Sequence, residues 1–229
     1  MISVPSRGVT RLQLSNFRSY KTFDKSFDCM PVVLTGSNGA GKTNLLEALS
    51  FLIPGRGLRY ARLSTVRHQG SLAPWALSCT LQDGDISLSI GTGQDPEAEK
   101  GERRISKING EKIKGQARLT EWTSIVWLTP QMDRLFLDPP QGRRKFLDRL
   151  VYGIDPTHAG RLSQYERALK ERSVLLRQET YDPRWMESIE EILVQTGLLI
   201  TQKRQEVLTQ LSTQLTHQGN GFPPPYAFP

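Results

Sequence analysis

The chain has 229 residues, 37% of them hydrophobic and 23% charged, with a formal charge of +7 at pH 7. This balance excludes a disordered polyelectrolyte and favours a globular protein with a polyanionic partner. No apolar run approaches the length of a membrane span and MISVPSRGV has no signal-peptide core, so a cytoplasmic location without a membrane partner is expected. Cys29, Cys79 and the three histidines, His68, His158 and His217, have no metal-ligand spacing and read as isolated residues.

Residues 9–14 (VTRLQL) alternate as a strand does, NFRSY follows, and residues 22–27 read as a second, antiparallel strand. Phe17 and Tyr20 fit a core, and Arg18 a surface position. Residues 30–35 (MPVVLT) form a short apolar run expected to be a buried strand, and residues 44–52 (NLLEALSFL) have helical spacing. Between them stands GSNGAGKT: Gly36, Ser37, Asn38, Gly39, Ala40, Gly41, Lys42 and Thr43. Glycine, four residues, glycine, lysine and threonine between a strand and a helix is the phosphate-loop pattern. Its glycines let backbone N–H groups turn inward onto phosphate oxygens. Lys42 is expected at the β and γ phosphates of ATP, and the Thr43 hydroxyl on the accompanying Mg2+.

Pro54-Gly55 then breaks the helix and opens a basic loop, and residues 48–82 hold Arg56, Arg59, Arg62 and Arg67 with no acidic residue. Residues 75–82, 86–90 and 103–109 read as strands of a largely antiparallel sheet, with 91–100 an exposed polar turn. Asn109-Gly110 is a two-residue hairpin signal. Its flanks carry Lys100, Arg103, Arg104, Lys107, Lys112 and Lys114, a charged edge that serves either to discourage aggregation or to meet nucleic acid. Residues 124–128 (SIVWL) are expected to be another buried strand. Helices are expected over 141–152, 155–178 and 183–215, the last with an apolar stripe of Trp185, Ile189, Ile192, Thr196, Leu199, Val207, Leu211 and Leu215. Two long antiparallel helices of this kind make a lobe packed on itself.

The strand ending in NFRSY, followed by GSNGAGKTNLLEAL, resembles the head domain of the RecF, SMC and related chromosome-maintenance ATPases, which have the ABC-type fold. IPGRGLRYARLSTV and the run TPQMDRLFLDPPQGRRKFLD are similar to the RecF members of that family. The resemblance covers essentially the whole chain. It implies an α/β fold: an ABC-type P-loop ATPase head over residues 1–140 with an antiparallel β subdomain, and a two-helix lobe over 141–217, with a proline-rich end at 218–229. It also implies ATP and Mg2+ as cofactors, single-stranded or gapped duplex DNA as partner, an ATP-dependent homodimer of the full-length protein, and other recombination mediators.

Arg56 and Arg59 inherit a role beside nucleotide or DNA from that resemblance, and the sequence does not choose between them. Arg143 and Arg144 read either as a DNA-facing pair or as caps on the preceding loop. Gln131 stands where related ATPases place a residue for magnesium and the attacking water, although RecF proteins often carry Glu there. Residues 1–229 contain neither a serine-bearing signature nor an apolar strand ending in paired acids. The sequence therefore looks like the amino-terminal portion of such a protein, and little ATP turnover is expected of it. A nucleotide-binding subunit of another ABC-type system, such as a transporter, is the competing class.

Overall fold

Apolar and polar residues alternate along RGVTRLQLSNF, so Leu12 and Leu14 fall on one face and Arg11, Gln13 and Ser15 on the other. Alternation recurs in the segments 76–83, 86–94 and 104–108, and a sheet is the way to bury their apolar faces at once. A computed structural model describes residues 7–98, 102–130, 132, 135–137, 139–178 and 182–217. Strands β1 (Arg7–Phe17), β2 (Tyr20–Ser26), β3 (Ala76–Asp83), β4 (Ile86–Gln94), β5 (Arg104–Ile108) and β6 (Glu111–Lys112) form one sheet in the order β2-β1-β3-β4-β5-β6. Every neighbouring pair is antiparallel. At the β5–β6 turn Asn109 and Gly110 have φ of 49° and 85°, the left-handed pair that a two-residue hairpin needs.

Helix α1 (Lys42–Ser50) follows the glycine loop. The core of this part joins Leu12, Leu14, Leu77, Cys79 and Ile90 of the sheet to Ala48, Phe51, Leu52 and Ile53 at the end of α1. Phe17, Phe51 and Trp75 meet edge-on or tilted with ring centroids 5.1 to 5.9 Å apart. Arg104 is buried among them. It donates to the Phe51 carbonyl (3.1 Å), the Ile53 carbonyl (3.0 Å) and the Gln116 side chain, tying the end of α1 to β5. Burial pushes its guanidinium down to about 9, so it remains charged at neutral pH. Burial also pushes the Cys79 thiol up to about 12, which makes it an inert core residue.

Two compact units divide the chain, Met1–Leu119 and Thr120–Pro229, earlier than the boundary near 140 that the sequence suggests. Within the second, the Thr120 hydroxyl donates to the Pro156 carbonyl (2.5 Å) and the Arg149 guanidinium lies 4.3 Å over the Trp127 ring. These contacts bind the segment before α2 into the helical unit. Its helices are α2 (Pro140–Tyr152), α3 (His158–Leu175) and α4 (Pro183–His217). Asp148 of α2 accepts two bonds of 2.8 Å from Arg204 of α4 and lies 2.9 Å from His158 Nε2 of α3. Burial alone would raise the Asp148 carboxyl, and these hydrogen bonds outweigh it and hold the group below its ordinary value.

Four expectations are corrected. Residues 30–35 are not in a strand; Pro31 lacks an N–H, no neighbouring strand pairs with the segment among the described residues, and Val33 is 84% exposed. Residues 124–128 are likewise outside any strand, with Leu128 82% exposed. An apolar run becomes a buried strand only when neighbours supply both its hydrogen bonds and its cover. Residues 91–94 continue β4, with Gln94 and Asp95 buried, rather than forming an exposed turn. The buried seam of α4 is Met186, Ile189, Thr196, Ile200 and Val207, whereas Trp185, Leu199, Leu211 and Leu215 are exposed. The Trp185 indole N–H instead donates to Glu171 across the top of the lobe (3.1 Å). Residues 218–229 lie outside the described residues.

Candidate nucleotide-binding site

Gly36, Gly39 and Gly41 take φ of 142°, 85° and 94°, so the loop turns in a way L side chains resist. At Gly41 space forbids a side chain as well: a Cβ would lie 2.7 Å from the Tyr20 hydroxyl and 3.0 Å from Ser19 Oγ. Gly41 also caps α1, accepting from the Asn44 N–H (2.8 Å) and the Leu45 N–H (3.2 Å). Lys42 Nζ curls over the loop and donates to the Gly36 (2.7 Å) and Ser37 (2.8 Å) carbonyls. An ammonium held by neutral carbonyls rather than a carboxylate keeps its full charge for an anion. Thr43 is exposed on the first turn beside the helix N-terminus. These features fit a polyphosphate: a cradle that only glycine allows, a cation over it, and a hydroxyl at its edge.

The NFRSY turn, between β1 and β2, is pressed against α1. Asn44 Nδ2 donates to Ser19 Oγ (2.8 Å). Arg18, read from sequence as a surface charge, reaches Glu47 through Nε (2.9 Å) and Nη2 (2.6 Å), and its Nη1 donates to the Thr65 carbonyl (2.8 Å). Arg59 Nη1 donates to the same carboxylate (2.8 Å) and to Asn44 Oδ1 (2.9 Å). Glu47 is fully buried, so one carboxylate fastens two guanidiniums beside the phosphate loop. The backbone completes the joint, with Arg18 N–H on the Val66 carbonyl (2.8 Å) and His68 N–H on the Asn16 carbonyl (2.7 Å).

Arg59 thereby belongs to the first turns of α1, and its side chain is still 41% exposed, leaving donors for a phosphate. Gly57 permits this approach, since a Cβ there would lie 2.9 Å from both the Phe51 ring and Ser50 Oγ. The Leu58 N–H also donates to Ser50 Oγ (2.6 Å). Arg56 is exposed near Glu102, which accepts from the Leu63 N–H (3.0 Å) and from both the N–H and the hydroxyl of Ser64. The Ser64 hydroxyl leads the effects that hold the Glu102 carboxyl below its ordinary value, with burial opposing.

In the helical unit, Arg143 Nη1 donates to the Phe136 carbonyl (3.0 Å), so this arginine caps the preceding loop, while Arg144 is exposed. Gln131, the magnesium and water candidate, lies outside the described residues. No group of three or more His, Cys, Asp or Glu among the described residues is arranged to hold a metal ion. Sequence reasoning missed Glu47, Ser19 and Asn44. The available signal was a charged residue in NLLEALSFL at a position sharing its face with Ala48 and Phe51.

Comparison with known proteins bears on family and fold. Residues 8–117 match the family described as RecF/RecN/SMC N terminal domain. The DNA replication and repair protein RecF of Mesorhizobium japonicum is 42% identical over 221 residues, which is 96% of this chain and 58% of that protein. Its namesake from Rhizobium meliloti is 43% identical over 204 residues, 89% of this chain and 54% of that one. The chain belongs to the RecF family. A solved structure of the recombination mediator protein RecF-ATP in the RecFOR pathway superposes with a TM-score of 0.78 at 26% identity, covering 93% of this chain and 57% of that one. The RecF fold, an ABC-type ATPase head, is therefore the fold of this chain, which spans somewhat over half the length of its curated RecF relatives. No helix among the described residues is long and apolar enough to cross a membrane.

Proposed function

We propose that this chain is part of an ATP-binding DNA replication and repair protein that acts on single-stranded or gapped DNA in recombinational repair and the SOS response. The observation that carries the reading is the phosphate cradle, with Lys42 over loop carbonyls and Arg18 and Arg59 fastened by Glu47, on a chain 42% identical to a RecF protein. ATP with Mg2+ is the ligand this chemistry suits. Bound Mg2+ would neutralise phosphate charge, and Thr43 would hold it, with Gln131 a further candidate.

In this reading Gly36 to Gly41 present backbone N–H groups to the phosphates, and Lys42 exchanges its loop carbonyls for phosphate oxygens. Arg59 adds a second positive charge from the side of α1, and Glu47 keeps it from wandering to other anions. Exposed Arg56 and Arg144 are the better candidates for DNA phosphates; Arg143, already engaged with the loop carbonyl, is the weaker one. An ATP-dependent homodimer of the full-length protein, recombination mediator partners and a cytoplasmic location complete the proposal. Neither the relatives nor the solved structures named above support the transporter alternative.

The test is retention on a short gapped duplex, with and without ATP, across a salt series. Binding should strengthen with ATP and fall steeply with salt. Retention that is absent at low salt, with and without ATP, would refute the DNA reading.

A further inference from the structure

The strand register aligns six residues in one row across the outer face of the sheet: Asp24, Gln13, Ser78, Gly91, Lys107 and Lys112. This face is opposite the one that buries Leu12, Leu14 and Cys79. The rows on either side add Ser15, Ala76 and Gly93, and Thr80 and Ser89, so the middle of the face is floored by small residues. The charges at its two ends differ. Asp24 is satisfied, accepting from Arg11 (2.9 and 2.6 Å) and Gln13 (2.9 Å). At the far edge Lys107 stands directly opposite Lys112, both exposed, and no described carboxylate is in ion-pair distance of either. Exposed Lys114 follows two residues on.

Like charges directly opposed across a hairpin destabilise it. Guarding an edge against aggregation needs lysines there but does not need two facing each other beside an open floor. A polyanion laid on the face would turn that repulsion into attraction. We propose that this sheet face docks the backbone of double-stranded DNA, with Lys107, Lys112 and Lys114 on phosphates and the small-residue floor admitting the duplex close to the strands. The inference rests on the DNA-binding reading above and deepens it by naming the surface and the form of DNA. A duplex is favoured over a single strand because single-strand platforms stack bases on aromatic side chains, and these rows contain none. Contacts of this kind are indifferent to base sequence.

The experiment measures affinity for a short duplex and for a single strand of equal length across a salt series, using this chain, Lys107→Gln/Lys112→Gln, Ser78→Asp, and Lys25→Gln as a control on β2. The double variant should lose about 2 from the slope of log affinity against log salt, roughly 0.9 per phosphate contact. Ser78→Asp, which keeps all three lysines, should weaken duplex binding at least several-fold, and Lys25→Gln should leave it unchanged. Unaltered ATP affinity and an unfolding midpoint that does not fall in each variant show that the fold is intact. A slope unchanged in the double variant, an equal loss in Lys25→Gln, or a loss confined to the single strand would overturn the proposal while leaving the DNA reading standing. Failure of the parent chain to bind any DNA would overturn both.

Discussion

Glu47 shows how a single carboxylate can organise a site it never touches. Fully buried, it binds Arg18 and Arg59, whose side chains are 19% and 41% exposed, and thereby joins the NFRSY turn and the basic loop to the phosphate-loop helix. Removing one member of a buried pair leaves uncompensated charge. Glu47→Ala should cost about 3 kcal/mol, the low end for such a loss because Arg59 can rehydrate. Urea unfolding would measure it, and Glu47→Gln, which keeps hydrogen-bond acceptance, should cost less. ATP affinity should fall with it, since Arg59 loses its anchor. At this scale the sequence was only partly legible. The motif letters from Gly36 to Thr43 identify the cradle because each residue type has one geometric task there. Arg18 and Glu47 were not legible as a pair, because 29 residues separate them and only folding brings them to 2.6 Å.

Among elements, the helical lobe separates what periodicity reveals from what it leaves open. Helices over 140–152, 158–175 and 183–217 lie where apolar spacing and Pro183 put them. The face of α4 was read in part: Ile189, Thr196 and Val207 are buried as expected, but leucines occur all around the helix, so the stripe also ran through exposed Trp185, Leu199, Leu211 and Leu215. The buried positions 186, 189, 196, 200 and 207 fit a repeat of alternating three- and four-residue steps, the seam of two closely packed helices. Ile189→Ala should therefore destabilise by about 2 to 4 kcal/mol, whereas Leu199→Ala, at an exposed position, should change stability by less than about 1 kcal/mol. Chemical denaturation of both variants decides between the two stripes. Asp148 adds an acid dependence to the same lobe. Its folded value lies below the unfolded value of about 3.9, so its contribution is fully present above pH about 4 and is lost as pH falls through the folded value. Melting curves should show Asp148→Asn less stable than the parent near pH 6, with the gap closing as pH falls below about 4. A gap independent of pH would remove Asp148 from the ionic joint.

For the whole molecule, the antiparallel sheet and the helix order were legible from alternation, turn residues and helical spacing. Residues 30–35 and 124–128 were not, because an apolar run states that a segment wants cover without stating what covers it. The phosphate loop nevertheless keeps its shape beside an unpaired 30–35 segment, since its hydrogen bonds are local or come from α1, which Asn44 in turn ties to Ser19 of the NFRSY turn. Binding of nucleotide by this chain is the claim on which the rest depends, and a calorimetric titration with ATP and Mg2+ of the parent and of Lys42→Ala tests it most directly. Lys42 makes charge-assisted bonds of about 1.5 to 3 kcal/mol each, so its loss should weaken ATP binding by roughly ten- to a hundredfold while the unfolding midpoint stays put. Equal affinity in a folded Lys42→Ala protein would contradict the account.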